Sequence, residues 1–498
     1  NICNFKHLVD VNIDRRRSAI REQEGLEISG LLQTSSCSQS QHPAKRLLSE
    51  VVGIKIVMGS SRTIPLFRHA ITLSFLLLLL NLAASQGLLT RPAFRENAER
   101  RVERTWTSSF PAVNWDTLPV FWHAADANGP FNASTLDFIA RFPLATIEKF
   151  QAQRVEPRNT AAEEKIVAAA KQIKERSSQV KVLFYLNSVM DWDMYTLHSY
   201  CEQHKQAMWL FDDSNKPVLL RGQNTFNVTS AAVRQTWINT VLTAKKSGYI
   251  DGVFVDRGQE PDSFPNIDAA KMAAWKHGHD LHMSEIQKAM GENMIVISNN
   301  RDYPDVNARM MERFFVMDFD QNTPYLDLVT LMHEATYPHL VEVHGEPCTP
   351  VVRNATLAAF LVGAGDHAYY ACTKGWSVQT GWMTWYDEYS KKLGAPLSNA
   401  TTISSSSGFC KQDGPSLQSA YRPSVFWNTL LDMTGKHKRW EVSKWIDQYW
   451  EDNPADPKPI LGRRFASGTC VTLDFSSATP TPCISWSDGT WTGSNVCK

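Results

Sequence analysis

The 498-residue sequence carries no excess charge of either sign: 51 Lys and Arg balance 51 Asp and Glu, and hydrophobic residues make up 43%. That is a soluble globular composition, with no basic field to hold nucleic acid or an anionic membrane. No segment repeats at a fixed period, and no G-x-S-x-G elbow is present, which argues against a serine hydrolase of the α/β-hydrolase type. The other rival motifs fail on context. GAGDHA (Gly363–Ala368) fits G-x-G-x-x-A but follows a helical stretch and enters a strand, the reverse of a dinucleotide fold. HEATYPH (His333–His339) has Tyr337 where H-E-x-x-H needs its second His, and Pro338 would break the required helix. HGHDLH (His277–His282) puts only His279 and His282 on a common helical face and reads as a solvated face. No cofactor or metal is expected.

Long apolar runs are also missing. The longest, Ile71 to Leu82, is too short for an ordinary membrane span. Preceded by Arg62 and Arg68 and followed by the small residues Ala83 and Ser85, it has the layout of a secretory signal peptide over 58–85. The first Met is Met58, so residues 1–57 read as upstream translation or a disordered segment, and 86–113 as an N-terminal extension. A single-pass anchor is the alternative. With the signal removed, the protein is expected to be secreted or extracellular, at a cell wall or surface included, with no membrane partner.

Other features agree with that compartment. N-x-[ST] sequons stand at Asn132, Asn227, Asn354 and Asn399, candidate glycosylation sites. From Met58 onward there are seven Cys, an odd number that leaves one over if the rest pair. Cys470 and Cys483 flank an expected hairpin and form the best candidate disulfide; their spacing resembles no zinc site.

From Asn114 the chain alternates short apolar strands with longer helical stretches, the pattern of a parallel α/β fold. Strands are expected at Leu118–Ala124, Leu144–Phe150, Val180–Asn187, Asp251–Asp256, Met294–Asn299, Ala308–Arg313, His339–Gly345 and His367–Cys372. Helical periodicity occupies Thr160–Arg176, Ala231–Ser247 and Ala269–Met290. Eight parallel strands close a TIM (β/α)8 barrel. The barrel is placed at 114–457, and the short β segments of 458–498 are read as a small C-terminal β appendage.

The strand Gly252–Val255 ends in Asp256, with Gly252, Phe254 and Asp256 on one face. Polar residues end nearly every other strand: Trp122 and His123, Asn187, Arg257, Asn299, Glu312, and Glu342 with His344. In a closed parallel barrel these ends converge on one rim. Each could also be a capping or satisfied strand-end group.

Several blocks resemble a known family. They are WLFDDSNKPVLL (Trp209–Leu220), FNVTSAAVRQTW (Phe226–Trp237) running into YIDGVFVDRG, LGAPLSNAT (Leu393–Thr401) and RRFASGTCVTLDF (Arg463–Phe475). Their order resembles hypothetical glycosyl hydrolase family 15, TIM-barrel glycoside hydrolases distantly related to polygalactosaminidases, over roughly Asn114 to Asp474. The resemblance implies a secreted or surface enzyme acting on a polysaccharide, with Asp256 as a catalytic acid.

Glycosidic hydrolysis needs two carboxyls, one protonating the leaving oxygen and one acting as base or nucleophile. Asp256 is the first; Glu312 and Glu342 compete for the second. Glu342 is expected deeper in the barrel, paired with an Arg, so that Glu342→Gln would cost stability. His123, Asn187, Arg257 and Asn299 are candidate partners for sugar hydroxyls. Trp122, Trp382 and Trp385 are candidate platforms for a sugar's C–H face or, equally, parts of a packed core or lid. The function expected is cleavage of a polysaccharide or oligosaccharide by a pair of rim carboxylates. The alternative is a non-catalytic secreted barrel that binds glycans through its Trp residues. The sequence leaves oligomeric state open.

Overall fold

A computed structural model describes residues 109–493, except 259–260, 262, 302, 304, 316–322, 334–336, 345–346, 404–405, 411–429, 431–432, 434–438, 454–457 and 478. The expected upstream segment 1–57, the signal peptide 58–85 and most of the extension 86–113 lie outside the described residues.

Eight parallel strands form one sheet in chain order: β1 (Trp122–Ala124), β2 (Leu144–Ile147), β3 (Lys181–Asn187), β7 (Gly252–Asp256), β8 (Ile295–Asn299), β9 (Ala308–Glu312), β10 (His339–Val343) and β11 (Ala368–Cys372). The chain just before β1 meets β11 through a parallel bridge, Val120 to Tyr370. There the Tyr370 amide donates to the Pro119 carbonyl at 2.9 Å and the Phe121 amide to the Tyr370 carbonyl at 3.3 Å. That bridge closes the sheet into the expected TIM barrel. Strands β8, β10 and β11 are buried along their whole length, as parallel strands covered on both faces must be.

The covering helices follow the expected stretches: α2 (Ala162–Arg176), α5 (Ala231–Lys245) and α6 (Ala269–Met290), with α1 (Ala133–Ile139) between β1 and β2 and α8 (Pro350–Gly363) between β10 and β11. Helix α2 shows why such segments are helical. Ile166, Ala169, Ala170 and Ile173 make a buried stripe, Glu163 and Glu164 lie in its first turn, and Lys174 and Arg176 in its last. Helix α6 starts where the Asp268 carboxylate accepts from the Lys271 amide at 2.7 Å. The HGHDLH stretch lies inside α6, and here the structure corrects the sequence reading. His279 and His282 are fully buried, His279 bonded to Ser188 Oγ (3.0 Å) and Tyr303 Oη (3.1 Å), His282 edge-on to Trp237. Burial, and then the Arg301 charge, hold His279 at about 3. It is a core histidine, not a solvated one.

After β3 the chain makes an excursion through β4 (Met190–Asp191), β5 (Leu219–Leu220) and β6 (Gln223–Thr225), a small sheet in the order β4-β6-β5. Asp191 anchors it, accepting from Trp209 Nε1 at 2.8 Å and lying 2.9 Å from His198 Nδ1. The free thiol of Cys201 is buried beside this carboxylate.

The C-terminal appendage is a five-stranded antiparallel sheet: β12 (Thr401–Ile403), β13 (Ile460–Arg464), β14 (Cys470–Asp474), β15 (Thr481–Ser485) and β16 (Trp491–Gly493). It therefore recruits an edge strand from well before residue 458. Arg463 fixes it to the barrel by donating to the Leu361 (3.2 Å) and Ala364 (2.5 Å) carbonyls, which the end of α8 leaves without helical partners. The expected Cys470–Cys483 disulfide does not form: Cys470 is bonded to Cys410, and Cys348 to Cys372. The register explains this, since Cys470 faces Ser485 while Cys483 faces Thr472. The two cysteines are diagonal neighbours, ~7–8 Å apart by normal sheet geometry, beyond disulfide reach.

Gly252 opens β7 where the barrel wall leaves no room for a side chain: a Cβ would collide with the Ile295 carbonyl oxygen and with the side chains of Ile295 and Leu183. Gly252→Ala should therefore destabilise the barrel by about 1–3 kcal/mol through overpacking. Thermal denaturation checks this; an unchanged Tm would mean that the β3–β7–β8 wall is looser than it stands here.

Candidate active site

The last inward-facing residues of the strands meet at the carboxyl ends of β3, β7, β8, β9 and β10. Asn187 pairs with Asp256 in the β3–β7 register, and Glu312 pairs with Glu342 in the β9–β10 register. Asp256 and Glu312 are half-buried, Glu342 fully buried.

Asp256 accepts four hydrogen bonds. Asn187 Nδ2 donates at 2.7 Å, Asn299 Nδ2 at 3.0 Å and the Arg257 amide at 2.7 Å, and the Tyr185 hydroxyl completes the set. Asn299 Nδ2 also donates to Glu312 Oε2 at 2.8 Å. One amide thus touches both carboxylates, so their nearest oxygens are separated by two ordinary hydrogen-bond lengths at most, ~6 Å. Asn300 orients Glu312 from the other side, its Oδ1 accepting from the Glu312 amide at 2.9 Å.

The chain leaves each of these three strands through a strained residue. Arg257, Asn300 and Arg313, which directly follow Asp256, Asn299 and Glu312, have φ of 58°, 64° and 63°. Non-glycine residues in this left-handed region cost about 1–3 kcal/mol each and gather at functional sites. At Arg257 the backbone amide of the left-handed residue itself donates to Asp256.

Electrostatics separate the acidic groups. Burial raises the Glu312 carboxyl above the usual range; the Asn299 bond opposes this, while the negative charges of Asp256 and Glu148 reinforce it. Glu342 is pushed much further up by complete burial and by Glu312 and Glu148. Among the described residues neither Glu342 oxygen makes a hydrogen bond; His123 and His344 stand 3.7 and 3.8 Å away. The Arg partner expected for Glu342 is thus replaced by two histidines. Burial lowers both of them, and His344 is held at about 4. Glu148 behaves in the opposite way. Burial works to raise it, but the Lys149 ammonium at 2.9 Å and the His123 contact at 3.2 Å outweigh that and hold it at about 2. Lys149 Nζ continues to the Tyr185 hydroxyl at 3.2 Å, so a chain of polar contacts runs from Glu148 to Asp256.

Of the other expected residues, Asn187 is fully buried and committed on both sides, since its Oδ1 accepts from the Val189 and Met190 amides. His123 is likewise fully buried, between Phe254 and Trp376 (ring centroids 4.7 and 4.6 Å). Neither is placed to meet a sugar hydroxyl. Asn299 is spent on the two carboxylates, and Arg257 is half-buried beside them.

Of the two readings left open for Trp122, Trp382 and Trp385, the structure favours packing over sugar platforms. Trp122 alternates with His123 and points out of the barrel, where it is buried against Phe131 and Trp382. Trp382 is buried too, its Nε1 donating to the Gly375 carbonyl at 2.7 Å. Trp385 packs on Phe138 and Phe142 with the Arg141 guanidinium 3.4 Å from its ring centre. Those residues lie where α1 ends and β2 begins, at the end of the barrel opposite Asp256. The aromatic rings at the mouth are instead Trp376, stacked on His344 at 4.2 Å, and Trp192, whose ring lies 4.9 Å from Lys149 Nζ. Sequence reasoning missed these, together with Glu148, Lys149 and Tyr185. Alternation along β2 and β3 places Glu148 and Tyr185 on the inner face with Thr146 and Asn187, and that was the available signal.

Of the four sequons, Asn132 and Asn399 are exposed, whereas Asn227 is half-buried and Asn354 half-buried within α8.

Residues 174–411 match the model of hypothetical glycosyl hydrolase family 15. The resemblance drawn from the sequence blocks is borne out over that span, which holds Asp256, Glu312 and Glu342; the Arg463–Phe475 block lies beyond it. No curated protein matches. Among solved structures, the glycoside hydrolase domain of PelA from Pseudomonas aeruginosa is 13% identical with a TM-score of 0.36, covering 52% of this chain and 96% of its own. A maltogenic α-amylase, AmyB, from Thermotoga neapolitana is 12% identical with a TM-score of 0.36, covering 74% and 85%. An α-galactosidase from Thermus thermophilus is 16% identical with a TM-score of 0.29, covering 43% and 44%. Likenesses at this level carry nothing about the substrate of this chain.

The state of Glu342 has a pH consequence. Its carboxyl binds a proton more tightly folded than unfolded, where its value is near 4.5. Above that value the folded state holds more protons than the unfolded one, so stability falls as pH rises. Glu342→Gln removes the titrating group at nearly constant shape. Its Tm should equal the wild-type value near pH 4 and exceed it increasingly between about pH 5 and 8. This reverses the loss of stability expected from sequence; a variant Tm that falls below wild type at pH 8 would restore that expectation.

Proposed function

We propose that the chain is a glycoside hydrolase that cleaves a glycan with Asp256 and Glu312, within the glycoside-hydrolase-like family matched over 174–411. The observation that carries this reading is the Asn299 amide, which holds both carboxylates at the ends of β7 and β9 within two hydrogen bonds of each other. So short a bound on their nearest oxygens is compatible with the ~5–5.5 Å carboxyl separation of a retaining enzyme.

The environments divide the labour. Glu312, raised by burial and by its neighbour's charge, keeps its proton to higher pH than an ordinary carboxyl and delivers it to the leaving oxygen. Asp256, acceptor of four hydrogen bonds, carries negative charge and attacks the anomeric carbon. A glycosyl ester forms as the leaving-group oxygen takes the Glu312 proton. Glu312, now ionised, then takes a proton from water, which displaces Asp256 and leaves a sugar of unchanged anomeric configuration. In this scheme Asp256 is the nucleophile, where the family resemblance implies an acid. Both carboxyls are half-buried at the mouth and neither is sealed beneath it, which supports an enzyme over a purely glycan-binding barrel. The disulfides Cys348–Cys372 and Cys410–Cys470 support an oxidising, extracellular setting.

A screen of polysaccharides and aryl glycosides tests the reading, with product configuration followed by proton NMR. Asp256→Asn should lower turnover on every substrate by at least the order of 10²–10⁴-fold. Glu312→Gln should do so on natural linkages but spare aryl glycosides, whose leaving groups need no acid. Activity should fall at high pH as Glu312 loses its proton, and Glu312→Gln should erase that alkaline limb. Both variants should keep the wild-type Tm within about 1 kcal/mol of stability. Full activity in Asp256→Asn would end the assignment.

A further inference from the structure

A cleft of about 580 Å³ opens between the loops that follow β1, β2, β3 and β11. All four loops leave the carboxyl ends of their strands, so the cleft lies at the same end of the barrel as Asp256. Its wall at Phe150 adjoins Lys149, which bonds the Tyr185 hydroxyl that in turn bonds Asp256. Its size falls in the ~300–1,000 Å³ range of small-ligand sites, and exceeds what one pyranose ring needs.

The lining is rich in amides: Asn128, Gln153, Asn159 and Gln379, with the Ser377 hydroxyl and the half-buried Phe150 ring. A primary amide presents a donor and an acceptor side by side, the pattern that matches neighbouring sugar hydroxyls. Among the described lining residues there is no carboxylate to hold an amino sugar. The one guanidinium among them, Arg154, donates to Asn128 Oδ1 at 3.1 Å and is outnumbered by the four amides. Gln153 is the telling residue. It is 4% exposed and its Nε2 reaches the Lys149 carbonyl at 3.4 Å, while its Oε1 is buried with no hydrogen bond among the described residues. A buried acceptor of this kind is costly unless something donates to it, and a sugar hydroxyl in the cleft would.

We propose that this cleft is a subsite for neutral sugar units adjoining the one held at Asp256 and Glu312, so that the enzyme cuts within a chain and not at its terminal unit. The proposal rests on the glycosidase reading but is tested separately from it. Binding of neutral gluco-, galacto- and manno-oligosaccharides of two to eight units would be titrated calorimetrically, beside oligouronide and amino-sugar series. Affinity should rise with length in a neutral series and fall about tenfold in Gln153→Ala. Asn128→Ala and Gln379→Ala, at exposed positions, should weaken long oligomers similarly and keep the fold if Gln153→Ala does not. Cleavage should release internal fragments, and the three variants should slow long oligomers while leaving aryl glycosides unaffected. Length-dependent, amide-dependent binding without cleavage would keep the subsite and sink the hydrolase. Cleavage with no length dependence, or equal losses on short and long substrates, would sink the subsite alone. No binding to any neutral series, or binding confined to acidic or amino-sugar chains, overturns it.

Discussion

The amide of Asn299 spans two carboxylates that would otherwise repel each other, and most of the mouth is arranged around that crowding. Four acidic side chains, Glu148, Asp256, Glu312 and Glu342, project from four strands into one barrel end. At a separation of a few ångströms they cannot all be ionised cheaply in a partly dry site. The structure resolves this by giving each a different partner set. Lys149 and His123 keep Glu148 charged, and hydrogen bonds converge on Asp256. Glu312 has Asn299 and Asn300, and Glu342 has, among the described residues, no hydrogen-bond donor but two histidines nearby, both lowered by burial. A gradient of protonation across the ring follows, and such a gradient is what acid–base chemistry on a sugar requires.

The floor beneath the ring is packed and not open. Phe254, two residues before Asp256 on the same face, lies 4.7 Å from His123 and stacks on Tyr185 at 5.9 Å. Gly252, two residues further back, is narrowed to a hydrogen by β3 and β8. A substrate can reach the carboxylates only from above, where the loops and not the strands set the space.

The barrel was legible because the parallel strands are short, mostly apolar and in most cases followed by a helical stretch; all eight strands and three long helices fall where the sequence pattern places them. The carboxylates were legible by position, since Asp256, Glu312 and Glu342 end strands. The pairing of cysteines was not, because it depends on a register that sequence spacing does not fix: Cys470 sits two residues out of step with Cys483. The directions of the tryptophans were not legible for a related reason. Trp376, Trp382 and Trp385 lie within ten residues on one loop, yet one caps the mouth, one fills the outer core and one reaches the far end of the barrel. Loop residues have no periodicity from which direction can be read. His279 and His282 were read from their spacing as part of a solvated helical face; burial on α6 leaves them neutral instead.

Asn187 shows how the fold ties loop geometry to chemistry. Its carbonyl oxygen accepts from the Val189 and Met190 amides, which fixes the start of the 190–225 excursion, and its amide nitrogen donates to Asp256. One side chain therefore couples the path of a 36-residue excursion to the orientation of a single carboxylate. Ser188, the next residue, repeats the coupling by donating to the Asp256 carbonyl at 3.0 Å and contacting His279 at 3.0 Å. The excursion carries Arg221, whose charge acts on both Arg257 and Glu312. Any displacement of it would alter the hydrogen bonds of Asp256 and the field at Glu312 together. The buried histidines of α6 are then explained as rigid supports: His279 holds Ser188 from behind, and Tyr303, its other partner, fixes the Gly258 carbonyl at 2.6 Å just past Asp256. The carboxylate at the end of β7 is held by neighbours whose own positions are set by the core.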